Sequence, residues 1–445
     1  MKNRLNTIIA IACLIVFSRC GGVILEVDLP TLQEKIYEPT AVIYPGLEPS
    51  TVLYLDHSTC VIDARSNSQV FKALRPNLGQ YCDTLQLIKG GEFEAIPLDR
   101  QANKVSEVLE TIKDDISFAD IRKAVFQICN GTQQAILISD CESFANGRFL
   151  DLEPYMSEPF KDWMEKGHAI FVITEPYQEK YKGKVYDKKR FYFIFSDDRI
   201  VAPISHNFIG EIQGLLQNGA CSLYKMTNAD ILVQSPKSEM IADDLDFQVE
   251  YGNGYEFVEI SSDWDVIREY VMKLDEYGEP LLNDDGTAPA TPVALLKNFT
   301  FNDGENYTIE DVQIVATNIT ATYVALDDST ASAGETNISD AFKLDENALK
   351  NHNLTVMLTE KIFTSGYLSD EFGGNLLRLD FVITYAGLKP FDNTAFEWQS
   401  IWSPNTAICV SKSIDNALRD INVVPTCPNR RVIHTVFLKT ESYNN

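Results

Sequence analysis

Short apolar runs at 51–55 (Thr-Val-Leu-Tyr-Leu) and 135–139 (Ala-Ile-Leu-Ile-Ser) stand out from the polar segments around them. Runs of about four to eight such residues, bounded by polar loops, read as strands buried on both faces of a sheet. Segments 84–88, 168–174 and 191–195 have the same character. Between the strands, apolar residues return at helical spacing. A helix is expected near 67–75, a second on Val105, Val108, Leu109 and Ile112, and a third on Phe118, Ile121, Val125 and Ile128. Two more follow near 159–166, closed by Gly167, and near 208–216. Strands alternating with helices predict an α/β domain over 50–240, doubly wound, with a mostly parallel sheet covered on both faces.

From about 245 the pattern changes. Ser262-Asp-Trp-Asp265 has the form of a capping box and opens one helix through Val266, Ile267, Tyr270 and Val271. Alternating runs at 312–316, 321–325, 354–358 and 377–383 are then separated by turn residues. They predict a mainly β, sandwich-like domain over 245–445. Asn283-Asp-Asp-Gly286 reads as a turn, because the liganding spacing of a calcium loop is missing. Residues 21–49 carry four prolines and no periodicity, as a tether would, with room for one docked strand. The segment 180–190 crowds six basic residues between two strands and reads as a solvated connection.

The first twenty residues read as an address. Lys2 and Arg4 precede an apolar stretch, 7–17, that is too short for a permanent membrane span. Val16-Phe-Ser-Arg-Cys20 resembles the end of a bacterial lipoprotein signal, although Arg19 stands where a small residue is usual. The resemblance implies a lipid on Cys20 and an outer-membrane lipoprotein, on the surface or the periplasmic side; ordinary secretion is the alternative. A net charge of −26 argues against nucleic acid or an anionic lipid surface as the main partner, and suits divalent cations and basic partners. Of nine cysteines, Cys13 and Cys20 belong to the leader. No CxxC occurs, Cys409 and Cys427 are placed to pair, and Cys60, Cys129 and Cys221 read as buried thiols.

Asp56 and Asp140 directly follow the two clearest strands, and ligands of such sheets collect outside the carboxyl ends of the strands. Leu55-Asp56-His57-Ser58-Thr59-Cys60 resembles the DxSxS segment of von Willebrand factor A domains, with Cys60 in place of the last serine. Ile136-Leu-Ile-Ser-Asp140 resembles the aspartate-ended strand that follows later in those domains; a glycine is usual next, where this chain has Cys141. The resemblance covers about 50–235. It implies a metal-ion-dependent adhesion site in which Asp56 and Ser58 hold a divalent cation, Asp140 supports it and Ser117 adds a hydroxyl, with Ala119 aligning equally well. Magnesium suits such a cluster best, since it needs few protein oxygens and keeps water; a thiol at Cys60 is a poor ligand for it. The implied role is recognition of an extracytoplasmic protein or glycan.

Two other readings stay open. Asp56 and Ser58 also serve as loop caps in a structural or assembly lipoprotein without metal. A secreted phosphate- or sulfate-ester hydrolase would use Thr59 or Cys60 as nucleophile, yet the chain has five histidines and no DxxxH or HxxxH spacing beside His168 or His206. Glu175 and Glu179 offer a carboxylate pair at a separation nothing in the sequence fixes. Gly-rich phosphate loops are absent. No residue is assigned a catalytic role.

Overall fold

Seven strands make the central layer of the N-terminal part, and a two-residue pair lies outside it: β1 (Glu48–Asp56), β2 (Thr84–Lys89), β3 (Glu92–Pro97), β4 (Gln133–Ser139), the separate pair β5 (Phe144–Ala145) and β6 (Arg148–Phe149), then β7 (Ala169–Tyr181), β8 (Lys184–Ser196) and β9 (Ser222–Met226). Five helices accompany them: α1 (Gln69–Tyr81), α2 (Lys104–Thr111), α3 (Ile121–Cys129), α4 (Ser157–Glu165) and α5 (Ile204–Gln217). The computed structural model describes residues 24–37, 46–58, 67–111, 118–197, 203–227, 233–235, 239–240, 247–252, 255–261, 264–271, 277, 293–301, 304–326, 332–420 and 432–442.

The seven-stranded sheet has the order β3-β2-β1-β4-β8-β7-β9. β1 is parallel to β2 and to β4. The remaining neighbours pair antiparallel. The sheet is therefore mixed, with helices on both faces, and its parallel part is the β2-β1-β4 centre. β8 departs from a doubly wound path by returning as a hairpin between β4 and β7.

Two-residue alternation decides which face each side chain enters. Leu53 and Leu55 of β1, Ile136 and Ile138 of β4 and Tyr192 and Ile194 of β8 pack under α1, α2 and α5. Val52, Tyr54, Leu137, Phe193 and Phe195 point to the opposite face, against α3 and α4. Full burial of a leucine or phenylalanine is worth about 1.5–3 kcal/mol, so these two layers dominate the stability of the domain. Helix ends follow the sequence signals. Ser68 caps α1 by accepting from Phe71 N, and Asp120 caps α3 by accepting from Lys123 N. Gly167, at φ +75, closes α4 with a bond from its N to Met164 O, as expected.

The expected connection at 180–190 is instead a β-ribbon. β7 and β8 each run for 13 residues, but only 170–174 of β7 and 191–195 of β8 pair with other strands of the sheet. The rest projects as a two-stranded arm turned at Lys182 (φ +47) and Gly183 (φ +80), the positive pair that a tight hairpin turn requires. The strand also takes in Glu175–Glu179, beyond the apolar run 168–174 that the sequence marks.

In the C-terminal part, β10 (Val233–Ser235), β11 (Glu239–Met240), β14 (Val293–Phe301), β17 (Phe342–Leu344) and β18 (Asn353–Leu358) form one sheet. A second has the order β12 (Phe247–Tyr251), β13 (Tyr255–Ile260), β22 (Val432–Glu441), β19 (Gly374–Leu388), β15 (Tyr307–Asn318) and β16 (Thr336–Asn337). β10 and β11 both pair antiparallel with β14. β20 (Trp398–Gln399) and β21 (Thr406–Ala407) form a small separate pair. Helix α6 (Trp264–Val271) falls where the capping box places it.

Four sequence expectations change here. The run 321–325, expected as a strand, is a short helix at Thr320–Val324, held by Tyr323 N donating to Ile319 O and Ala325 N to Ala321 O. The segment 24–37 is docked: Leu25, Leu32 and Tyr37 are buried against Tyr255, Phe257 and Phe437. A helix absent from the sequence reading, α7 (Cys409–Asp420), packs on α4, where Met156 N donates to Ser413 Oγ and Ile408 N and Cys409 N donate to Asp151 O. Cys409 is a free, buried thiol in that helix, so it makes no bridge to Cys427, which lies outside the described residues.

Candidate functional site at the sheet rim

β1 and β4 are neighbours in register, and their carboxyl ends bring Asp56 and Asp140 to one rim. Ser58 follows on the same loop. Ser117, Thr59, Cys60 and Cys20 lie outside the described residues. Asp56 is 1% exposed, and Ser139 Oγ donates to its Oδ2 across 2.7 Å. Its Oδ1 has no hydrogen-bond partner; Ser58 Oγ is near enough to lower the carboxyl's pKa, but neither atom reaches bonding geometry. Burial first, and the charge of Asp140 second, push the Asp56 carboxyl up to about 8 against the pull of Ser139, Ser58 and Lys188.

The turn after β4 is held by its own side chains. Cys141 N donates to Ser139 Oγ and Glu142 N to Asp140 Oδ1. Cys141 takes φ +61, a left-handed conformation that glycine reaches without strain; this is the position where the resembled family has glycine.

The sequence reading missed what lies against these carboxylates. In the arm, cross-strand partners Glu175 and Arg190, Tyr177 and Lys188, and Glu179 and Tyr186 share one face. That face folds over the rim. The Lys188 side chain is fully buried, and its Nζ lies 3.0 Å from Asp140 Oδ2, 2.8 Å from Glu142 Oε1 and 3.2 Å from Glu179 Oε2. Burial alone would lower the pKa of this amine; Asp140, Glu142 and Glu179 together outweigh burial and hold it above the ordinary lysine range. Glu142 is pushed up to about 7, by burial first and Asp140 second.

Glu175 does structural work one step along the same face. Its carboxylate accepts from Ser68 Oγ (2.6 Å), Gln69 N (2.8 Å), Val70 N (3.2 Å), Tyr192 OH (3.0 Å) and Arg190 (3.0 Å). It thereby supplies negative charge at the positive end of α1. The Arg190 guanidinium also stacks 4.3 Å from the Tyr177 ring.

These residues do not fit a divalent cation beside Lys188. One oxygen of Asp140 is already in contact with an ammonium, and a second cation would meet that charge at van der Waals distance in a dry site. Among the described residues, no group of three or more His, Cys, Asp or Glu side chains is arranged to hold a metal ion. The expected cation set of Asp56, Ser58 and Asp140 is thus gathered at one rim, and an amine sits among its carboxylates.

Outside this sealed cluster lies an aromatic surface drawn from three regions of the chain. Phe149 stacks on Trp402 with centroids 4.3 Å apart. Phe118 meets Phe144, Phe149 and Trp402 at 5.0, 5.3 and 5.8 Å, and Tyr181 at the arm's tip meets Trp402 at 5.4 Å. Phe118 is 49% exposed and Trp402 37%. The Trp402 indole N–H donates to Glu142 Oε2 (2.9 Å), linking surface to cluster. A cavity of about 530 Å³ runs along the arm against β20, walled by Gln178, Asp187, Lys188, Lys189, Trp398 and Gln399 among others.

No protein-family model matches the chain, and no curated protein or solved structure matches it either.

Proposed function

We propose that this chain is an outer-membrane lipoprotein that recognises a protein partner through the aromatic rim, with an N-terminal von Willebrand factor A-like domain and a sandwich-like C-terminal domain. The adjacency of Asp56 and Asp140 at strand ends supports the family reading. Leu296 and Val356 of one C-terminal sheet and Ile314 and Phe381 of the other belong to one continuous core, which supports the sandwich.

The observation that carries the recognition reading is the ring cluster of Phe118, Phe144, Phe149, Tyr181 and Trp402. Solvent-facing aromatic clusters are costly in water and are the residues from which interface anchors are drawn. The chemistry favours a protein over a glycan. A sugar needs several hydrogen-bonding groups beside a ring face, whereas here three of the rings are phenylalanine and the one indole N–H is bonded inward to Glu142. The cation expected from the sequence has no part in this reading, because the Lys188 ammonium already contacts Asp140 and Glu142.

A photoreactive residue at Phe118, expressed in the native envelope, tests the reading, with a control at Tyr251, which is 58% exposed. The expected result is a discrete protein adduct from Phe118 that is absent from Tyr251 and lost on Trp402→Ala. Glycan-array binding that Trp402→Ala abolishes would replace the protein partner by a glycan. Adducts of equal yield at both positions would refute recognition at the rim.

A further inference from the structure

Four acidic side chains converge on the rim: Asp56, Asp140, Glu142 and Glu179. Asp56 and Asp140 are 1% and 5% exposed, and the side chains of Glu142 and Glu179 only 10% and 14%. A buried carboxylate without a cation is held at a cost of several kcal/mol. The cation that contacts three of them is the Lys188 ammonium, delivered by an arm that leaves the sheet for seven residues on each strand before turning back. The arrangement also leaves a donor set incomplete. Asp56 Oδ1 is buried and accepts no hydrogen bond, while Oδ2 accepts from Ser139 Oγ.

An amine and a divalent ion solve the same electrostatic problem in different ways. The ammonium offers three donors on a flexible stem and one charge. A divalent ion offers two charges and takes oxygen ligands directly. Contacts of 2.8–3.2 Å from one nitrogen to three carboxylates leave no room for both.

We propose that Lys188 is a tethered counter-ion standing where a divalent cation would bind, and that removing its amine converts Asp56, Asp140, Glu142 and Glu179 into a divalent-cation site. The native protein is then indifferent to metal, and the arm is locked over the rim by its own charge. The inference stands apart from the recognition reading, since it needs no partner.

The test measures thermal unfolding and Mn²⁺ electron paramagnetic resonance on the full ectodomain, wild type and Lys188→Ala, in EDTA and in Mg²⁺, Ca²⁺ or Mn²⁺. Wild type should show no shift and no bound Mn²⁺. Lys188→Ala should unfold earlier than wild type in EDTA, rise by roughly 5 °C at saturating Mn²⁺ and bind one ion. Adding Asp140→Asn to it should abolish the gain. Should Lys188→Ala fail to fold in EDTA, refolding in Mn²⁺ alone supports the proposal, and failure in both media counts against it. Mn²⁺ bound by the wild type, or a folded Lys188→Ala that binds none, overturns it.

Discussion

The indole nitrogen of Trp402 donates across 2.9 Å to Glu142 Oε2, joining a loop of the C-terminal part to the turn that follows β4. Glu142 in turn contacts Lys188, so one chain of contacts runs from the exposed rings to the buried charge. Trp402→Phe keeps the stack on Phe149 and removes the donor; a lost bond to a charged or half-charged acceptor should cost about 1–3 kcal/mol in urea unfolding. Trp402→Ala loses the ring as well and should cost more. Equal stability of Trp402→Phe and wild type would show that the link carries no energy.

Lys188→Met should destabilise the fold by about 3–5 kcal/mol, because it strips a buried cluster of its counter-charge. Lys89, which pairs with Glu94 at 2.5 Å on the surface, provides the contrast. Lys89→Met should change stability by less than about 1 kcal/mol, since solvent screens that pair. Similar losses for the two variants, measured by chemical denaturation, would contradict the burial argument.

The pH dependence of stability should bear the mark of the same cluster. Asp56 and Glu142 are raised in the folded protein to about 8 and about 7 from ordinary values of 3.8 and 4.5. The folded state therefore keeps protons that the unfolded chain releases. The stability they carry is complete below about pH 4 and is lost as pH rises through about 7 and 8. His434, which burial lowers to about 4, contributes the opposite slope below its ordinary value of 6.5 and cancels when wild type and Asp56→Asn are compared. Asp56→Asn should flatten the profile by up to about 1.4 kcal/mol per pH unit between about pH 4 and 8. Parallel profiles would mean that Asp56 titrates normally.

Cys20 is the proposed anchor. Cells fed a clickable palmitate analogue should label the wild-type chain, and Cys20→Ser should release it unlabelled from the membrane fraction. Membrane retention of an unlabelled Cys20→Ser protein would exclude a lipid at this cysteine.

The pattern of the chain exposed most of the first domain. Apolar runs and helical spacing located β1, β2, β4 and α1 to α5, because β1 and β4 are apolar on both faces and each helix buries one regular face. The rim pair Asp56 and Asp140 was legible for the same reason: each follows a strand that polarity ends abruptly. The arm was not. Its inward residues, Glu175, Tyr177, Glu179, Lys188 and Arg190, are polar, so a two-residue alternation of charges looks like a solvated connection. Helix α7 escaped because its buried face is small and sulfur- or hydroxyl-bearing, with Cys409, Ser411, Ser413 and Ala417 alongside Val410 and Ile414. The aromatic rim gathers Phe118, Phe149 and Trp402 from distant positions, which no local pattern reveals.

Recognition through the rim is tested most directly by titrating the protein captured at Phe118 against folded wild type and the Phe118→Ala/Trp402→Ala double variant in a calorimeter. Two anchors worth about 2 kcal/mol each predict a loss of affinity on the order of 1,000-fold, with the circular-dichroism spectrum unchanged. An affinity equal to that of the wild type would place the binding surface elsewhere on the molecule.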